Sequence, residues 1–260
     1  MRSLAFLCSA LLAAPALAAP EEPAETPIVV PSPIPVGFLV AWKPTLLSVR
    51  VDSGSGAQFG SDKLQLLRGL GRWTTTLFGE KLMARAEIEG GQFQSDTQGT
   101  QLGSNGVDLT ARFLFGTATR ILPGFTITAS AGPITRYQWG AAHGGAPRIG
   151  MLGISSNIEL EYRVAPLLTI SGYLEGALAP LPYAAQRDLG DLSDASEFRI
   201  RLQLSLDVSP DAAVDFGYDF TRWHASFSGS NVLNPVAGAN QAFLLEAREH
   251  AITFGIRWKP

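Results

Sequence analysis

Residues 197–208 read Glu-Phe-Arg-Ile-Arg-Leu-Gln-Leu-Ser-Leu-Asp-Val. Every even position, from Phe198 to Val208, is apolar, and every odd one, from Glu197 to Asp207, is polar. Side chains of a strand alternate between two faces, so the segment predicts a strand with one greasy and one charged face. The same period recurs over 82–93, 107–117, 125–137, 151–164, 168–179, 213–221 and 251–258. In the first of these, Leu82, Ala84, Ala86 and Ile88 oppose Arg85, Glu87 and Glu89; in the last, Ile252, Phe254, Ile256 and Trp258 oppose Thr253, Gly255 and Arg257. Segments 37–51 and roughly 62–78 predict two more strands, with a phase that Pro44 and the run Leu64-Gln65-Leu66-Leu67 interrupt. The total is about ten strands, each roughly 9–13 residues long.

The connections alternate in length. Gly79-Glu80, Ile121 to Gly124, Ala165-Pro166 and Ser209 to Asp211 are short; the segments near 53–60, 94–106, 140–150, 180–196 and 228–246 are longer and rich in Gly, Asn and Ser. Short turns at one end and long loops at the other describe an all-β, antiparallel up-and-down transmembrane β-barrel. Aromatics near strand ends (Tyr137, Trp139, Tyr162, Trp223, Trp258) stand where interfacial girdles belong. A soluble sandwich or lipocalin-like barrel would share the period of two, but not this alternation of loop lengths.

The N-terminus points to export. Arg2, the apolar run Leu4 to Leu12 and the small-x-small triplet Ala16-Leu17-Ala18 form a signal peptide over 1–18, with cleavage expected after Ala18. A Pro-rich periplasmic lead-in over 19–35 follows, and the barrel is expected over 36–260. The single cysteine, Cys8, falls in the leader, so the mature chain has no disulfide. Charged residues make up 17% of the chain, against roughly 25% in a soluble domain. The formal charge of −3 offers no field for nucleic acid.

If the greasy face meets lipid, the polar face lines a lumen. Its charges would be Arg85, Glu87, Glu89, Asp108, Arg112, Arg136, Glu159, Glu161, Arg163, Glu175, Glu197, Arg199, Arg201, Asp207, Asp215, Asp219 and Arg257. Ten strands enclose little more than their own side chains, so these charges are expected to pair in a mostly closed core or, at most, a very narrow pore. No cofactor or metal is implied: His143, His224 and His250 are not spaced as ligands, and the Gly-rich stretches precede no helix.

One constellation could carry catalysis. His224 and Ser226 share the outward face set by Phe216, Tyr218 and Phe220, and Glu246, Arg248 and His250 continue the outward face of the last strand. A His base oriented by a carboxylate activates a Ser hydroxyl. His224-Ala225-Ser226 resembles the His-x-Ser of outer-membrane lipid A 3-O-deacylases, which carry a Glu on the final strand. Glu249 matches that Glu by distance from the C-terminus and Glu246 by face. Phe227 stands where that family has Asn, and that family has eight strands. The ten-stranded omptin proteases share the strand count, but their paired acidic and Asp-His motifs are not recognisable in this sequence. Residues 253–260 resemble the C-terminal signal read by the barrel-assembly machinery: Thr253, Gly255 and Trp258 match, while Pro260 replaces the final aromatic.

The sequence therefore predicts an integral outer-membrane barrel, porin-like in build, that touches outer-membrane lipid and lipopolysaccharide. Its role would be structural, surface-interacting or that of a narrow pore. One alternative is an outer-leaflet serine lipid hydrolase using His224, Ser226 and Glu246 or Glu249. A second is a soluble periplasmic β-barrel binding protein.

Overall fold

A computed structural model describes residues 37–52, 58–77, 80–97, 104–140, 149–182, 191–228 and 242–259. The leader, the lead-in and the centres of the five long connections lie outside the described residues. The strands are β1 (Gly37–Asp52), β2 (Gln58–Leu77), β3 (Glu80–Thr97), β4 (Ser104–Leu122) and β5 (Phe125–Gly140), then β6 (Ile149–Ala165), β7 (Leu168–Pro182), β8 (Asp191–Ser209), β9 (Ala212–Ser228) and β10 (Ala242–Trp258). Each pairs antiparallel with its sequence neighbours, and β1 pairs with β10 from Phe38↔Trp258 to Asp52↔Leu244. The sheet is thus a closed, ten-stranded, up-and-down barrel with no free edge.

Turn chemistry closes one end. Leu122 pairs with Phe125 around Pro123-Gly124, where Gly124 adopts φ 78°. Proline pre-sets the first turn residue and only glycine takes the left-handed second one without strain. Pro166-Leu167 and Pro210-Asp211 make the other described turns at this end, and both barrel termini lie beside them.

The alternation places side chains as the sequence predicts. Phe198, Ile200, Leu202, Leu204 and Leu206 point outward, whereas Glu197, Arg199, Arg201, Gln203 and Ser205 are buried inside. Around the barrel the outward apolar residues form a belt, from Phe38, Val40 and Trp42 through Ile88, Phe113, Ile154 and Ile170 to Phe216, Phe254 and Ile256. Rings pack within it: Trp42 stacks on Phe254 at 6.0 Å, and Phe216 meets Phe254 edge-on at 5.7 Å. A groove of about 590 Å³ crosses the belt where Gly69, Gly71, Ala86 and Ala111 lie between Phe38, Trp73, Ile88 and Phe113.

The strands run 15–20 residues, longer than predicted. The reason is an exchange of faces at the long-loop end. In β9 the outward residues change from Phe220 to Arg222, His224 and Ser226, while the inward ones become Trp223, Ala225 and Phe227, each fully buried. In β10, Glu246 and Arg248 turn outward and Leu245 and Ala247 inward. In β2 the same switch falls inside the puzzling leucine run: Leu64 and Leu66 are inside, Gln65 and Leu67 outside, and the next inward residue is Arg68. Leu47, Leu64, Leu66, Met151, Ala179, Ala195, Trp223, Ala225, Phe227, Leu245 and Ala247 accordingly form an apolar cluster inside that end. Trp223 is therefore a core residue and not part of a girdle. Tyr162 and Trp258, by contrast, are outward-facing near the short turns.

A closed antiparallel ring has no edge for detergent to peel open. The purified barrel should migrate differently on detergent gels before and after boiling. Identical migration would mean that no closed, detergent-resistant barrel forms.

Candidate functional site

Below the apolar cluster the interior is ionic. Asp219 on β9 is met by Lys43 at 3.1 Å, Arg68 at 3.2 Å, Arg199 at 3.2 Å and Arg201 at 2.7 Å. Glu87 on β3 takes Arg85 at 2.7 Å and both Arg199 and Arg201 at 3.0 Å. Glu89 pairs with Lys43 and Arg199. From Arg85 the chain of pairs runs to Glu159, Arg72 and Glu161. From Glu87 it runs through Arg112, 3.9 Å away, to Glu175 and Glu197, then through Arg136 to Asp108 and Glu249. Every one of the ten strands thus contributes a charge to one connected network.

Aromatic rings insulate it. The Tyr173 ring lies between the guanidinium groups of Arg85, 4.7 Å from its centroid, and Arg201, 4.9 Å away. Trp223 lies under Arg136 at 4.9 Å, joining the ionic layer to the apolar one. Such cation–π contacts gain strength when water is excluded. Two enclosed cavities, one beside Arg136 and Glu197 and one beside Arg72 and Arg257, measure about 10 Å³ each. That is room for about one water molecule.

Most of the charges expected in the lumen are there. Asp215 is buried and takes Arg257 at 3.1 Å near the short-turn end. Arg163 departs from the expectation: its side chain is 57% exposed, and its guanidinium bonds the Pro166 carbonyl. Asp207 is half-buried and pairs with Lys259. Both sit at the turn-end rim, where the strand leaves the ring and its inward face opens to solvent. Sequence reasoning missed Lys43, Arg68 and Arg72. Their strands were expected, but the interrupted alternation of β1 and β2 hid which face they occupied.

The catalytic candidates separate. Glu249 faces inward, 3% exposed, and binds Arg136. It cannot orient an outward histidine, because adjacent residues of a strand take opposite faces. Ser226, His224 and Glu246 do share the outward face, and Glu246 stands opposite His224 in the ladder. Yet His224 is bonded elsewhere: its Nδ1 lies 3.0 Å from Ser196 Oγ on β8, which is its direct partner across the ladder. Glu246 is held by Arg222 at 3.0 Å and Arg248 at 2.7 Å. For Ser226, the backbone carbonyl accepts the Ser193 hydroxyl at 2.9 Å. Ser196, His224 and Glu246 thus stand in one row across three strands. Among the described residues, no three His, Cys, Asp or Glu side chains converge as a metal site requires.

A closed antiparallel ten-stranded barrel with an ionic interior and an apolar exterior resembles the barrels of Gram-negative outer membranes. Among solved structures, the outer membrane protease OmpT of Escherichia coli is similar in fold, with a TM-score of 0.52 over 87% of this chain and 97% of that one, at 10% identity. An outer membrane channel from Pseudomonas putida F1 matches with a TM-score of 0.41 over 88% of this chain and all of the other, at 10% identity. The outer membrane protein OprG of Pseudomonas aeruginosa matches with a TM-score of 0.35 over 86% and 97%, at 11% identity. No protein-family model and no curated protein match the sequence.

The network makes Asp219 the most consequential single charge. Removing one partner of a buried ion pair costs about 3–5 kcal/mol. Asp219→Asn should lower the stability of the purified barrel to urea by about that much. Glu246→Gln, whose partners are half exposed, should cost about 0–1 kcal/mol. Equal effects would mean that the interior network does not hold the barrel together.

Proposed function

We propose that this protein is an integral outer-membrane barrel whose lumen is shut, acting as a rigid structural element that presents its outer rim. The observation that carries this reading is the inversion of polarity across the wall. Large apolar side chains stay exposed around a ring whose interior is filled with paired charges. In water such a belt would drive aggregation. In hydrocarbon it is the expected exterior, and a closed ring is the one sheet whose backbone groups are all satisfied there. The fold of OmpT supports the same setting. The short turns then face the periplasm and the long connections the outside. The leader over 1–18, the lead-in over 19–35 and the assembly signal over 253–260 fit this route of export and insertion. Acyl chains of the surrounding lipid would fill the groove between Phe38 and Phe113.

The closed-lumen reading rests on two stacked layers, the ion network and the apolar cluster around Trp223. Both occupy the cross-section that a pore would need. Reconstituted in planar bilayers, the protein should show no stepwise conductance. Discrete open-channel steps would overturn the closed lumen.

One observation favours a second reading as a lipid ester hydrolase at the outer leaflet. The Ser196–His224 bond supplies a nucleophile and a base, which moves the nucleophile from Ser226 to Ser196, and Glu246 stands opposite His224 in the ladder with its carboxylate held by Arg222 and Arg248. Esterase activity lost in Ser196→Ala and kept in Ser226→Ala would support it, and no activity in the wild-type barrel would remove it.

The lipid-facing assignment is tested by neighbouring residues. Leu204→Arg should destabilise the barrel in lipid vesicles by about 2–4 kcal/mol, as for an arginine near the bilayer midplane. Ser205→Arg enters the interior opposite Asp215 and should be milder. Equal tolerance at both positions would show that the belt does not meet lipid.

A further inference from the structure

The outward face of β9 and β10 carries a charged patch immediately beyond the apolar belt. Arg222 and Arg248 are direct partners across the ladder. Like charges set opposite each other in a sheet destabilise it. Glu246 bridges them, accepting from Arg222 Nη2 and Arg248 Nε. One carboxylate shared by two guanidinium groups leaves excess positive charge, with the arginine side chains 52% and 57% exposed. A shelf of rings lies on the belt side. His250 Nδ1 is 2.7 Å from the Tyr218 hydroxyl, and the His250 ring is 5.0 Å from that of Phe220. Ile252 follows one step further into the belt, more than half exposed.

A pair of forked cations above aromatics, above aliphatics, matches a phosphorylated headgroup whose chains run down the wall. Arginine binds phosphate through two parallel hydrogen bonds, and the bond between ionised partners is strong. The patch lies at the end away from the short turns, which is the outer leaflet if the outer-membrane reading above holds. The lipid of that leaflet is a glycolipid with phosphates on its sugar headgroup. We propose that Arg222 and Arg248 anchor a phosphate of lipid A, with its acyl chains lying over Phe220 and Ile252. The proposal rests on the outer-membrane reading.

The test uses the full mature barrel in detergent micelles, titrated with bisphosphorylated lipid A, dephosphorylated lipid A and phosphatidylglycerol. The wild type should bind the bisphosphorylated form about tenfold more tightly than the dephosphorylated one. The doubly substituted Arg222→Gln, Arg248→Gln barrel should bind both alike, while keeping its heat-dependent gel shift. Discrimination that is absent in the wild type, or that survives in the double variant, would overturn the anchor. Phosphatidylglycerol binding as tightly as lipid A would overturn the choice of lipid. Should the double variant lose its gel shift, the single Arg222→Gln barrel decides by the same comparison. A wild-type barrel that fails to insert into vesicles overturns the outer-membrane reading itself, whereas one that inserts but does not discriminate overturns only the anchor.

Discussion

The structure depends on the mutual neutralisation of the charges inside the ring. Each buried ion loses hydration worth several kcal/mol, which only close, multiply bonded partners return. Asp219 meets this demand by serving four cations at 2.7–3.2 Å, and Glu87 by binding three arginines at 2.7–3.0 Å. Because every strand contributes, the network also fixes register. A slip of one residue would carry a strand's charges to the outer face and its leucines inward. The ion pairs therefore specify which ring forms, whatever their net contribution to stability.

The apolar cluster at the long-loop end acts on the same network. Trp223, Phe227, Leu245 and Leu64 keep water from one side of the ionic layer, and a lower local dielectric strengthens every paired charge beneath them. Trp223 belongs to both layers, since its ring also carries Arg136. Above the belt the wall thus has the polarity of a soluble protein, apolar inside and polar outside, and within the belt it has the reverse.

That inversion explains what the sequence disclosed and what it concealed. Alternation identified eight strands outright and two more with an interrupted phase, and it gave the inward charges of β3 to β9 other than Arg163 and the outward parity of His224, Ser226 and Glu246, because a strict period of two leaves no freedom in assigning faces. It failed where the two faces exchange character. The leucine run of β2 looked like lost periodicity, yet Leu66 and Leu67 keep opposite faces, and the period continues through the switch. The expected strands ended too early for the same reason, and Trp223 was placed on the wall because it lies where an interfacial ring belongs. The Ser196–His224 contact was beyond reach: it depends on the register between β8 and β9, which no single strand encodes.

The two layers also decide where chemistry can occur. Interior carboxylates and arginines are committed to one another, so a substrate or ion entering the lumen would have to break buried pairs before making contacts of its own. The outward ring just past the belt is open to solvent, and its ion pairs of Glu246 with Arg222 and Arg248 leave both arginines more than half exposed. Ser196 and His224 meet there across one pair of strands, and Arg222 and Arg248 meet across the next, each placed by the face exchange that ends the belt. In the outer-membrane setting proposed above, polar groups on that ring would stand at the level where lipid headgroups replace acyl chains, so a ligand could reach them without crossing the wall. On the reading proposed above, the filled interior would supply rigidity and recognition would belong to the rim.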